Sequence, residues 1–198
     1  MASGTAITFS PRKIIVITAP SGAGKTSVVK KLLTHMPQLS FSVSATTRSR
    51  RDNEVDGKDY YFLSVADFQD KIRAGAFVEF EEVYAGQFYG TLHAEIERIW
   101  GQRKIALFDV DVKGALAIKE KYGQDVFTVF ISPPSLEVLQ ARLEGRKTES
   151  KESLSKRLNK SKEEMSYANR FDYQVINKDF DTAYMRVKNA VLKYLHST

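Results

Sequence analysis

The chain has 198 residues, 42% of them hydrophobic, no cysteine and a formal net charge of +6. This is enough for one compact domain with a real core; it excludes disulfides and thiolate metal sites, and no apolar run approaches the ~20 residues of a membrane helix. The basic balance fits an anionic partner, either nucleic acid or small phosphates, and the opening "MASGTAITFSPRK" lacks the apolar segment of a secretion signal, so a soluble cytoplasmic protein is expected.

The first element is the apolar run Ile14–Thr18, which reads as a buried strand. "APSGAGKTS" (Ala19–Ser27) follows, overlapping an amphipathic stretch, Lys25–Leu33, that reads as a helix. The loop fits G-x-x-x-x-G-K-[ST] except at its first position, where Ala19 stands for glycine. A glycine-rich turn between a strand and a helix aims several backbone N–H groups at one point, where a phosphate can sit. Lys25 is placed to reach the β- and γ-phosphates, the Thr26 hydroxyl to ligate Mg²⁺, and Gly22 and Gly24 to let the backbone approach. Alanine fits position 19 only if its φ is negative or if the added methyl faces empty space; a negative φ is expected.

From about Phe41 to Thr91 the rhythm changes. "DYYFL" and "FVEFEEVY" alternate like exposed strands, with a short helix "SVADFQDKIRAG" between them, capped by Ser64 and ended by Gly75. This reads as a small mixed lobe inserted into an α/β core. Further on, Ile105–Val110, Val126–Ser132 and Tyr173–Asn177 read as buried strands, and Val112–Tyr122, Ser135–Leu143 and Asp179–Leu195 as helices. Strands alternating with helices at this spacing give an α/β fold with a parallel sheet flanked by helices. Glu144–Tyr167 is highly charged and helical; it reads either as a mobile lid or as an exposed helix pair.

The strand "IALFDVDVKG" ends in Asp109 and Asp111. A strand-end carboxylate in a P-loop protein supports Mg²⁺, often through water. A helix cap for Val112–Tyr122 accounts for Asp111 and leaves Asp109 to that role. "DVKG" also matches the D-x-x-G of GTPases, but "NKDF" (Asn177–Phe180) has phenylalanine where N-K-x-D requires aspartate, so that class is set aside. The short basic group "RSRR" (Arg48–Arg51) would alone read as a basic surface or nucleic-acid patch.

From about Lys13 to Leu195 the chain resembles guanylate kinases. The resemblance rests on "APSGAGKT", "SVSATTRSRRDNEVDGKDYYF", "FVEFEEVYAGQFYGT", "LFDVDVKG", "RLEGRKTES" with "SKRL", and "VINKD", in family order. It implies Mg²⁺-dependent transfer of the γ-phosphate of ATP to GMP, and use of dGMP is expected because no residue identified reads the ribose 2′-hydroxyl. It further implies one domain over 1–198: a P-loop core (about 1–40, 92–134 and 169–198), a GMP-binding lobe (about 41–91) and a lid (about 135–168). ATP would be held by Ala19, Pro20, Ser21, Gly22, Ala23, Gly24, Lys25 and Thr26, with Asn177 at the adenine. The GMP phosphate would be gripped by Arg48 and Arg51, oriented by Glu54, and by the hydroxyls of Tyr60 and Tyr89. Guanine presents two adjacent N–H donors, which acceptor-only carboxylates can take; Glu79 and Asp111 stand there by resemblance, with Ser44 and Thr91 donating to the guanine carbonyl oxygen. Lys25, Arg48, Arg142, Arg146 and Arg157 would offset charge during transfer, and Thr26 and Asp109 would hold the metal, Asp109 through water. The partners implied are the two nucleotides, with no nucleic acid and no membrane; the oligomeric state stays open. One lid position departs from the family: Lys147 replaces the usual glycine. A guanylate-kinase-like binding module would have lost the lysine and arginines that this chain keeps.

Overall fold

A computed structural model describes residues 12–145 and 151–197. In chain order its elements are β1 (Ile14–Thr18), α1 (Lys25–His35), β2 (Leu39–Phe41), β3 (Ala45–Thr46), β4 (Tyr61–Phe62), α2 (Val65–Arg73), β5 (Phe77–Tyr84), β6 (Gln87–Leu92), α3 (His93–Gly101), β7 (Ile105–Asp109), α4 (Val112–Tyr122), β8 (Val126–Ser132), α5 (Leu136–Glu144), α6 (Lys151–Ser166), β9 (Tyr173–Ile176) and α7 (Phe180–His196).

Strand β1 is buried along its whole length, and its two faces feed two cores. Successive strand side chains alternate, so Ile15 and Ile17 pack with Val28 and Leu32 of α1 and Val187 and Val191 of α7. Ile14 and Val16 pack with Ile96 and Ile99 of α3 and Ala115 and Ile118 of α4. That double burial explains the unbroken apolar run, which a one-sided strand would interrupt with polar residues. β1 is central in a five-stranded parallel sheet of order β2-β7-β1-β8-β9. The expected α/β architecture is therefore the observed one.

Two expected strands are one residue shorter, for a reason that matters at the site. β7 stops at Asp109, and Val110 turns its carbonyl to the Lys25 ammonium. β9 stops at Ile176, and Asn177 turns its side chain to the loop after β1. Helix α3 carries no capping side chain at Leu92, so it lacks the usual start signal in the sequence.

Residues 45–92 build a second, four-stranded sheet of order β4-β3-β6-β5. Its core is small and aromatic: Phe68 of α2 stacks on Phe77 at 4.3 Å and on Phe88 at 5.4 Å between ring centroids. Ser64 caps α2, accepting from the Asp67 N–H. Adjacent residues of β5 join the two units: Phe77 enters the aromatic core, and Val78 enters the core of the large sheet. A second tie is Glu95 of α3, only 2% exposed, whose carboxylate accepts from the Val43 N–H (2.9 Å), the Tyr61 hydroxyl (2.8 Å) and Arg98 (2.7 and 2.8 Å). Among the described residues, no helix is long and apolar enough to cross a membrane.

Candidate active site

The loop between β1 and α1 is held from behind. Gly24 is left-handed, with φ +97°, and a Cβ there would stand 2.5 Å from the Asn177 side-chain nitrogen, so both conformation and space require glycine. Asn177, 5% exposed, donates from that nitrogen to the Ala23 carbonyl at 2.8 Å. The Asn177 carbonyl in turn accepts from Arg142 at 2.9 Å. Ala19 is buried in the core beside β1 and is not among the described residues with positive φ, so its methyl group has replaced glycine without strain. At the start of α1, Lys25 pairs with the Asp109 carboxylate at 2.6 Å and donates to the Val110 carbonyl at 3.0 Å. Loop, Lys25 and the exposed Thr26 open into a cavity of about 440 Å³, whose far wall is helix α6 and the tip residue Tyr84 of β5.

A second cavity, of about 310 Å³, lies between the two sheets and is lined by Ser44, Tyr60, Glu79, Glu81, Tyr89, Asp109 and Asp111, among others. Glu79 accepts from the Thr91 hydroxyl at 2.7 Å. Its other oxygen lies against the start of α4: a Cβ on Gly114 would stand 3.0 Å from it, so this glycine permits the close approach. Burial pushes the Glu79 carboxyl up to about 7; the Thr91 hydrogen bond opposes this, and the Asp111 charge adds to it. Asp111 caps α4 with one oxygen, accepting from Gly114 N–H at 2.9 Å, and its other oxygen lies 3.9 Å from Lys160 of α6. On the rim, Arg48 and Glu54 form a bidentate pair at 2.7 and 2.8 Å. The Arg48 hydrogen bond brings the Glu54 carboxyl down to about 2. The Arg48 guanidinium lies over the Tyr60 ring, 5.1 Å from its centre. The two cavities therefore meet at the end of β7, the strand next to β1, where Asp111 lines both.

The guanylate kinase family model matches residues 11–194. The chain belongs to the guanylate kinase family. It is 48% identical to the guanylate kinase of Salinibacter ruber, over 94% of this chain and 98% of that one. It is 45% identical to that of Porphyromonas gingivalis, over 92% and 98%. The crystal structure of guanylate kinase from Anaplasma phagocytophilum superimposes with a TM-score of 0.74 at 31% identity, covering 94% of this chain and 87% of that one.

Against the guanylate kinase pattern, the structure brings Ser21, Gly22, Lys25 and Thr26 to the first cavity and Ser44, Tyr60, Glu79, Tyr89 and Asp111 to the second. At five of the expected site positions the structure shows contacts that the sequence did not suggest. Asn177, expected at the adenine, instead has its buried side chain committed to the loop carbonyl. Arg142, expected among the lid cations, is turned onto the Asn177 backbone. Thr91, expected to donate to the guanine carbonyl oxygen, gives its hydroxyl proton to Glu79 at 2.7 Å. Glu54 holds the Arg48 guanidinium but takes only the backbone N–H of Arg51, at 2.9 Å, and the Arg51 side chain is exposed. Asp109, expected to hold the metal through water, is paired with Lys25 at 2.6 Å. Arg146 and Lys147 lie outside the described residues. Arg157 reaches to 3.4 Å from the Ser21 hydroxyl, on the open side of the phosphate loop.

Arg157, Lys160, Ser161 and Glu164 all line the first cavity. Their spacing, i, i+3, i+4 and i+7, is that of one helix face. Such a stripe is usually apolar when it faces a protein interior; here it is polar, and Ser161 and Glu164 are nonetheless 0% and 9% exposed. A polar stripe at core spacing was the signal available in "SKRLNKSKEEM", and charge alone conceals it.

Proposed function

We infer that this chain transfers the γ-phosphate of ATP to GMP, giving ADP and GDP. The observation that carries this reading is the meeting of two cavities at one strand end, one built on a phosphate loop and the other on paired carboxylates. The loop N–H groups and Lys25 bind the donor phosphates. Arg48, preset by Glu54, grips the acceptor phosphate with Tyr60 and Tyr89, and Arg51 adds charge from the rim. Glu79 and Asp111 accept the two N–H groups of guanine, and Ser44 donates to its carbonyl oxygen. Adenine presents an acceptor where guanine has its ring N–H, so the same carboxylates repel it. The acceptor is already an anion and needs no strong base; the protein's task is positioning and charge neutralisation.

Mg²⁺ fits the donor set. Thr26 and Asp109 offer oxygen ligands, and no cluster of three acidic or histidine residues among those described could cage an ion unaided, which suits a cation held mainly by phosphates and water. Bound there, it would neutralise charge on the phosphates being transferred. Arg157, from α6, adds positive charge over the loop. The reading sets the reaction in cytoplasmic purine nucleotide metabolism, recycling GMP, and includes dGMP, since none of the roles assigned above is to read the ribose 2′-hydroxyl. A panel of GMP, dGMP, AMP, UMP and CMP with ATP and Mg²⁺ tests it. GMP and dGMP are expected to yield ADP and a nucleoside diphosphate. Tight GMP binding with no turnover would point instead to a binding module on the same fold.

A further inference from the structure

Among the described residues, two line both the phosphate-loop cavity and the acceptor cavity: Asp111 and Lys160. They face each other across the cleft, the Lys160 ammonium 3.9 Å from the Asp111 oxygen that does not cap α4. Asp111 is fixed to the core because it caps α4, whereas Lys160 belongs to α6, the wall opposite. Around them the acceptor wall is crowded with carboxylates: Glu79, Glu81 and Asp109 line the same cavity as Asp111, Asp109 being paired with Lys25. Lys113 of α4 also stands near this group, 4.0 Å from Glu81 and 67% exposed. Glu164, one turn beyond Lys160 on α6, faces the first cavity.

We propose that Lys160 is a positioning residue for the acceptor nucleotide, seating α6 against Asp111 at the junction of the two cavities. The proposal rests on the reading of the second cavity as the GMP site. Carboxylates gathered on one wall repel one another, and a cation brought from the opposite wall relieves that repulsion most when α6 is closed over the cleft. Lys160 thereby holds Asp111 aimed into the acceptor cavity and couples the position of α6 to the acceptor side. Its pairing is half-exposed, so the effect is moderate.

The test is steady-state kinetics on Lys160→Met and Lys160→Arg, each alone and combined with Asp111→Asn, an exchange that keeps the helix cap. Methionine preserves helix propensity and most of the side-chain length, so the variant should fold. Lys160→Met is expected to raise KM for GMP about 5-fold while KM for ATP shifts less than about 2-fold. Arginine should restore KM for GMP to within about 2-fold of the parent, because it keeps the charge. In the Asp111→Asn background, Lys160→Met should add less than about 2-fold, since its partner is gone. The proposal is overturned if KM for GMP is unmoved, if KM for ATP rises in step with it, or if the loss is undiminished in the Asp111→Asn background. Failure of the parent chain to phosphorylate GMP would instead overturn the functional reading itself.

Discussion

The phosphate loop stands on a parallel sheet buried on both faces, while the acceptor cavity leans on a four-stranded sheet whose buried core is Ala45, Phe68, Phe77 and Phe88. The first half offers fixed backbone N–H groups clamped by Asn177; the second offers side chains that hold one another, Arg48 by Glu54 and Glu79 by Thr91. The contrast suits the two tasks. A triphosphate tail needs a rigid cradle of backbone dipoles, whereas choosing one purine requires hydrogen-bonding side chains in defined charge states. It also implies that the lobe of the second sheet is the less stable half, because each of its ordered residues has less apolar core to offset its conformational entropy.

The largest effect should fall on the loop. Lys25→Met removes the cation seated at the start of α1, and kcat is expected to drop ~10³-fold, with KM for GMP changed far less. Equal loss in both parameters would place Lys25 in acceptor binding. The lobe should break differently. Phe68→Ala empties the centre of the aromatic stack, which typically costs about 3–5 kcal/mol. Hydrogen exchange should then show β5 and β6 losing protection while β1 and β8 keep theirs; simultaneous loss would mean the two units unfold together.

A smaller effect should sharpen the comparison through pH. If Glu79 reads guanine it must be ionised to do so, and burial lifts that carboxyl from 4.5 to about 7. In the free enzyme, kcat/KM for GMP should therefore climb with pH up to about 7 and level off above it, a limb higher than the ~6 of a phosphate monoester. The fold has the opposite preference. A raised carboxyl pKa means the neutral form fits the folded state better, so this group's contribution to stability is complete below 4.5 and is lost as pH rises through about 7. Bound guanine, by supplying two N–H donors, would offset that penalty. A flat profile from pH 6 to 8 would contradict the assignment of Glu79.

Much of the loop half was legible in the sequence because its signals are local: "IIVIT" is apolar on both faces, and Gly24, Lys25 and Thr26 are adjacent. The same holds for Ser64, which caps the helix it precedes. What escaped is set by contacts distant in sequence. Asn177 meets Ala23 across 154 residues, and Arg142 meets Asn177 across 35. Lys160 looks like one more charge on a charged helix until the fold sets it opposite Asp111. Two-residue strands such as β3 and β4 are too short to show alternation, so the lobe's sheet emerges only when β6 pairs with β3.

If paired carboxylates choose the purine, the most direct measurement is the ratio of kcat/KM for GMP over AMP in the parent chain and in Glu79→Gln. The parent ratio is expected to be ~10⁴ or more, as for sites that leave a wrong substrate's polar groups unpaired. In Glu79→Gln it should fall by ~10²-fold, through loss of GMP turnover, while KM for ATP holds. A ratio unchanged by the substitution would contradict the choice of purine by these carboxylates.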